Sequence, residues 1–268
     1  EFFEHYSFLI QELLRVTMPG RLHSVHCMQL PTSKTRDGFI GMRDFRGEIV
    51  RAYIDAGWIF HSEVCIWKDP VVAQQRTKSI RLLHKQIEKD SSISGQGLAD
   101  YVVTFRKPGE NPEPLSGGFT QYVTGLDISR EAYERDTAGR ANSWPYDKWA
   151  SILVWQRYAS PVWMDINQTR VLNFKLGKDN DSEKHICPLQ LDVIARCVDL
   201  WSNKGETVFS PFAGVGSEGY EAIKMGRMFI GIELKKSYFK AAIKFLNEAD
   251  IEANRPSMFD YISSEQTG

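Results

Sequence analysis

No stretch of the chain comes near the roughly 18 to 20 consecutive apolar residues that a bilayer-crossing helix needs, so a transmembrane reading fails. Cysteine is scarce. The four present, Cys27, Cys65, Cys187 and Cys197, form no short Cys-x-x-Cys pair, which argues against a zinc site or a disulfide framework and for reduced thiols in a cytoplasmic protein. An excess of positive charge is lacking as well, since 33 basic residues against 34 acidic ones leave a net charge of −1. A global field that draws in nucleic acid is therefore absent, and any such contact must rest on local clusters such as Arg76, Lys78, Arg81 and Lys85. The opening Glu1-Phe2-Phe3-Glu4-His5 has neither the basic-then-apolar layout of a secretory signal nor an initiator Met, and it starts inside an amphipathic pattern, which suggests a trimmed chain. Internal repeats and low-complexity tracts are missing too.

What is present fits a globular α/β protein. Apolar residues at 42% and charged ones at 25% are ordinary, and 268 residues suit one large domain with an insertion or two small domains. Residues 2–16 carry Phe3, Tyr6, Leu9, Ile10, Leu13 and Leu14 at helical spacing, stopped by Pro19-Gly20. A strand is expected over 22–28, a helix near 43–56, a strand over about 58–67 and another over 101–105. His23 and His26 on the first strand are read as pointing the same way, a polar strand face or core pair and not a metal site, because no third ligand is evident. Pro108-Gly109 to Pro114 marks a linker, and 115–183 is irregular and aromatic, with Trp144, Trp149, Trp155 and Trp163. Packing of a small subdomain is the expected role of these tryptophans, with base stacking as the alternative. Regular patterning returns from about 185.

The most informative stretch is Thr207-Val208-Phe209-Ser210-Pro211-Phe212-Ala213-Gly214-Val215-Gly216-Ser217-Glu218-Gly219-Tyr220. A β-prone run enters a glycine turn and then a helix, whose first N–H groups and positive dipole end point at whatever sits over the turn. The next strand, Met228-Phe229-Ile230-Gly231-Ile232, ends in Glu233. An acid about 20 residues past a glycine turn is where a nucleotide-binding α/β unit accepts the hydrogens of ribose hydroxyls.

Ser210 to Ser217 resembles the Asp-Pro-Phe-x-Gly-x-Gly-Thr motif of the N6-adenine and N4-cytosine DNA methyltransferases, with Ser210 where most members carry Asp. Gly226 to Leu234, followed by Tyr238 and Ala241, looks like their second motif, and His185-Ile186-Cys187-Pro188-Leu189 resembles the Lys-Pro-x-x-Leu segment that precedes the first. The resemblance implies a Rossmann-like class I methyltransferase fold, α/β and circularly permuted as in the β group, with an inserted DNA-recognition subdomain. It divides the chain into a catalytic-side half over 1–107, a target-recognition insertion over 108–183 and a cofactor half over 184–268. The implied cofactor is S-adenosylmethionine, held by His185, Pro188, Leu189, Ser210, Pro211, Phe212, Ala213, Gly214, Gly216, Ser217, Glu218, Glu233 and Leu234. The implied substrate is double-stranded DNA with its target base flipped, contacted by Arg76, Lys78, Arg81 and Lys85. No metal or membrane enters, and a homodimer stays open.

The family's catalytic tetrapeptide, Asp, Asn or Ser followed by Pro-Pro and an aromatic residue, is not found. Asp69-Pro70-Val71-Val72 lacks the second proline and the aromatic, so the catalytic residues are unassigned and are expected upstream of Glu1. Two rivals stand beside the DNA reading: an RNA or small-molecule methyltransferase, and a non-catalytic DNA-binding or partner module that kept the fold.

Overall fold

The computed structural model describes residues 1–77, 80–119, 126–140, 143–177 and 188–255. The chain clusters into two compact units, one comprising 1–114 with 118–166, the other 115–117 with 167–268.

The first unit begins with helix α1 (Phe2–Val16) and strand β1 (Leu22–Met28). A two-residue hairpin, β2 (Leu30–Pro31) and β3 (Met42–Arg43), encloses the single turn α2 (Lys34–Asp37). Helix α3 (Phe45–Asp55), strand β4 (Ile59–Ile66), helices α4 (Pro70–Thr77) and α5 (His84–Lys89), strand β5 (Asp100–Arg106), helices α6 (Arg130–Thr137) and α7 (Tyr146–Tyr158) and strand β6 (Val162–Trp163) follow. Apart from the β2–β3 hairpin, the strands form one sheet in the order β1-β5-β4-β6, with β5 antiparallel to both neighbours. A strand flanked on both edges and covered on its faces reads as a continuous apolar run, and Val102-Val103-Thr104-Phe105 is buried throughout. Against it lie Ile10 and Leu13 of α1 and Ile49 and Tyr53 of α3, with the Tyr53 ring stacked 4.1 Å from that of Phe105.

His23 and His26 do not share a face. His23 stacks on Tyr53 inside the core, with a 2.9 Å hydrogen bond between its Nε2 and the Tyr53 hydroxyl, whereas His26 reaches Asp100. Side chains alternate along a strand with a period of two, so positions three apart point to opposite sides, and the expectation of a common direction is corrected. The irregular reading of 115–183 also missed the 13-residue helix α7. Trp149, Ala150, Val154 and Tyr158 are buried, but Trp155 is exposed among Asp147, Lys148, Gln156 and Arg157, so polar and apolar positions do not separate into an amphipathic stripe.

The second unit holds helix α8 (Leu191–Trp201), strand β7 (Thr207–Ser210), helix α9 (Ser217–Lys224), strand β8 (Met228–Gly231) and helix α10 (Lys236–Ala253). β7 and β8 pair in parallel, Thr207 opposite Met228 and Ser210 opposite Gly231, with α9 as the crossover. Its core is mainly aliphatic: Leu172, Leu191, Ile194, Val198, Val215, Met225 and Ala241, with Phe245. Arg170 ties the segment before α8 to both helices, bonding Asp192 at 2.7 Å and Glu221 at 2.8 Å.

Candidate functional site

The parallel ladder of the second unit continues past its strands into the glycine turn. Ile232 N–H donates to the Ser210 carbonyl at 3.0 Å, and Ala213 N–H to the Ile232 carbonyl at 2.9 Å. One residue further, Gly214 N–H donates to Glu233 Oε2 at 2.9 Å, while Lys235 N–H donates to Oε1 at 2.7 Å. The acid at the end of the second strand is thereby fixed beside the turn after the first, which is the juxtaposition the spacing implied.

Two glycines are demanded by this geometry. Gly216 has φ +90°, and a Cβ there would lie 3.1 Å from Ala242, so the turn can press against α10 only without a side chain. A Cβ on Gly219 would come within 2.5 Å of Leu246 and Phe229, so that glycine sets the close packing of α9 on strand and helix. Helix α9 starts at Gly216 with no side-chain cap, leaving the N–H groups of its first turn directed outward. Within that turn Ser217 is buried and Glu218 half-buried. Burial pushes the Glu218 carboxyl up to about 7, against the lowering effect of its own backbone N–H.

The other expected cofactor positions surround this turn in the chain. Ser210 and Ala213 are buried and Pro211 is half-buried, whereas Phe212 is 67% exposed and Leu234 97% exposed. An apolar side chain so fully in water beside a tethered carboxylate fits a site that takes a flat, apolar-faced group carrying hydroxyls. Pro188 and Leu189 are half-buried in the segment leading into α8, Leu189 packing on the aliphatic core. His185 lies outside the described residues.

Of the four expected DNA-contacting cations, Lys78 lies outside the described residues and Arg76 falls in α4. Arg81 is half-buried and donates from Nη1 to the Gly41 carbonyl at 3.3 Å, so it is held to its own unit. Lys85 is exposed on α5.

The first unit contains a polar cluster that the sequence did not reveal. Asp100, 2% exposed, stands opposite Met28 and Ile66, the last residues of the parallel strands β1 and β4. Its Oδ2 bonds His26 Nε2 at 3.0 Å and Lys68 Nζ at 2.5 Å, while Oδ1 has no hydrogen-bond partner among the described residues. Burial raises the Asp100 carboxyl, but His26 and then Lys68 outweigh it and hold the group below its ordinary range. The strand ends where it sits form the edge at which open α/β sheets take ligands. No local pattern could have found it, because His26 and Asp100 are 74 positions apart.

Among the described residues no group of three or more His, Cys, Asp or Glu side chains is placed to hold a metal ion, and no helix is long and apolar enough to cross a membrane.

A glycine turn tied to a strand-end acid occurs in several nucleotide-binding families, and comparison with known proteins decides among them. The N6/N4 methyltransferase family, described as DNA methylase, matches residues 1–244. The chain belongs to that family. Curated relatives align locally: the type II methyltransferase M2.DpnII of Streptococcus pneumoniae is 39% identical over 62 residues, 23% of either chain. The DNA adenine methyltransferase YhdJ of Escherichia coli K12 is 36% identical over 70 residues, 26% of this chain and 24% of the relative. The aligned stretch thus spans about a quarter of the length of these relatives. Similarity of fold runs much further. A structure described as a DNA modification methylase of Thermus thermophilus, complexed with S-adenosyl-L-methionine, superposes with a TM-score of 0.61 at 18% identity, over 92% of this chain and 78% of that one. The cytosine-N4-specific PvuII DNA methyltransferase gives 0.55 at 14% identity, over 96% and 78%. The fold is the Rossmann-like α/β fold of the DNA methyltransferases.

Proposed function

We propose that this chain binds S-adenosylmethionine on the turn 210–218 and serves methyl transfer to an exocyclic amine, adenine N6 or cytosine N4, of a base flipped out of duplex DNA. The observation that carries this reading is the Glu233 carboxylate, whose two oxygens accept from the backbone of Gly214 in the turn and of Lys235 just past the strand end. Carboxylate oxygens so anchored retain lone pairs for the two ribose hydroxyls. Phe212 and Leu234 offer exposed apolar surface to the adenine ring, the first-turn N–H groups of α9 face the polar end, and Pro188 and Leu189 border the methionine part. Gly214, Gly216 and Ser217 let the backbone approach closely, and buried Ser210, Ala213 and half-buried Pro211 shape the turn from beneath.

The bound cofactor supplies an activated methyl group, so the protein's share of the work is orientation and exclusion of water. Flipping is needed because a stacked base cannot present its amine to a sheltered donor. Residues 1–107 serve as the catalytic-side half, 108–183 as the target-recognition insertion and 184–268 as the cofactor half. Lys85, with Arg76 and Lys78, contributes phosphate contacts, and Arg81 anchors the segment that carries them.

Calorimetric titration of S-adenosylmethionine into the wild type and Glu233→Ala tests this. Loss of charge-assisted hydrogen bonds worth roughly 1.5 to 3 kcal/mol weakens binding at least about tenfold. Equal affinities sink the assignment. Methyl transfer to genomic DNA by the complete protein, mapped by base, then separates adenine from cytosine, and cofactor binding by that protein without transfer to any DNA favours a non-catalytic module.

A further inference from the structure

Helix α7 packs on two sides, and the one that meets α6 also opens onto a cavity. Ala150, Val154 and Tyr158, spaced by four, are buried in the unit's own interior. Trp149, Ile152, Leu153 and Gln156, at i, i+3, i+4 and i+7, instead line a cavity of about 540 Å³. Across it lie Trp144, Arg135 and Arg140. That volume falls in the range of small-molecule sites, roughly 300 to 1,000 Å³.

The wall is built rather than incidental. Trp149, at 7% exposure, forms a floor packed edge-on against Tyr133 at 5.5 Å, while Trp144 stands 56% exposed at the rim. The Tyr133 hydroxyl donates to the Trp144 carbonyl at 2.8 Å, so the backbone presenting that indole is fixed by the same ring that supports the floor. Of the two arginines, Arg135 is engaged by Asp127 at 3.7 Å and by Asp136 at 3.3 Å. Arg140 makes no ion pair among the described residues. The cavity thus combines a presented indole, an uncommitted guanidinium and the Gln156 amide around an apolar floor.

We propose that this cavity receives an unstacked nucleobase of the nucleic-acid acceptor, a role that rests on the DNA reading above. The Trp144 indole stacks on the base, a contact that tolerates any base because each has a π-face. The Arg140 guanidinium takes the adjoining phosphate, and the Gln156 amide, which both donates and accepts, meets the edge of the base. Within the segment 108–183, these are the residues that hold the acceptor.

The test is fluorescence anisotropy of a fluorescein-labelled, mixed-sequence single-stranded oligonucleotide with the full chain. Trp144→Ala weakens binding by about tenfold or more. Arg140→Met lowers the dependence of log affinity on log salt by about one unit. Trp155→Ala, which removes an indole 51% exposed on α7 but outside the cavity, keeps the parent affinity. The assignment is overturned if Trp144→Ala and Arg140→Met both bind like the parent, or if Trp155→Ala costs as much as Trp144→Ala. It is equally overturned if sedimentation shows that Trp144→Ala dissociates a dimer while oligonucleotide binding persists. A parallel S-adenosylmethionine titration keeps the two readings apart. A parent chain that binds cofactor but no oligonucleotide removes the cavity assignment alone, whereas one that binds neither the cofactor nor any DNA, single-stranded or duplex, removes the proposed function itself. Urea midpoints and near-ultraviolet circular dichroism unchanged from the parent show that the variants are folded.

Discussion

The two units solve the burial problem differently. The first closes a four-stranded sheet with aromatic rings, Tyr53, Trp58 and Phe105 meeting on one face of β5. The second has, among the described residues, two paired strands, a largely aliphatic core, and an exposed row of Met228, Ile230 and Ile232 that alternates along β8 and beyond its end. A two-stranded sheet is marginal by itself and draws its stability from the helices packed on it. Here α8, α9 and α10 do that, held by Arg170 and by glycines that allow close approach. The first unit is therefore organised around bulk, and the second around a tight turn held by close backbone packing.

The largest expected effect tests the aromatic core. Phe105→Ala removes a fully buried ring stacked on Tyr53 and lowers unfolding stability in urea by about 3 to 5 kcal/mol. Ile194→Val in the second unit costs only about 0.5 to 1.5 kcal/mol. Similar losses would erase the contrast.

The pH dependence sharpens it, because the two units carry shifted groups of opposite sign. Burial depresses His23 from its ordinary 6.5 to about 4, so the unfolded chain binds the extra proton first. Its contribution is full above about 6.5 and is lost as pH falls toward 4, up to about 3 kcal/mol, and His23→Gln flattens the acid side of the stability curve. Burial raises Glu218 from 4.5 to about 7, so here the folded state holds the proton. Stability is full below about 4.5 and declines as pH rises through 7, by roughly 2 kcal/mol after allowing for partial exposure, and Glu218→Gln removes that decline. Denaturation curves from pH 4 to 8 on both variants check the signs; the same slope for both contradicts the burial of one of them.

The smallest effect concerns the surface. Lys85→Gln changes stability by less than about 0.5 kcal/mol, as exposed substitutions do, yet reduces the salt dependence of DNA binding. An unchanged slope takes Lys85 out of the phosphate contacts.

Residues 207–233 were legible because their signal is local. A strand, a glycine turn, a helix and a strand ending in an acid follow one another within a single crossover, and each step has its own residue chemistry. Helix α1, β1, β4 and β5 were legible for a similar reason, since a face buried on one side leaves a period of 3.6 or a short apolar run. Helix α7 was not, because Trp155 is exposed beside Gln156 and Arg157, so its apolar and polar positions are interspersed and set no clear period. Arg81 counted as one more surface cation in the sequence, and only the fold brings the Gly41 carbonyl, 40 positions away, to its guanidinium.

By itself, then, the order of residues determined the α/β alternation, the turn at Gly214 and Gly216, and the acid that belongs beside it, since these depend on backbone conformation over short spans. Tertiary structure alone decided that His23 enters an aromatic core while His26 joins Asp100 and Lys68, and that Trp144 stands over a cavity floored by Trp149. Those outcomes depend on which distant surfaces the sheet and helices bring within bonding distance, and the spacing of residues along a chain does not encode that.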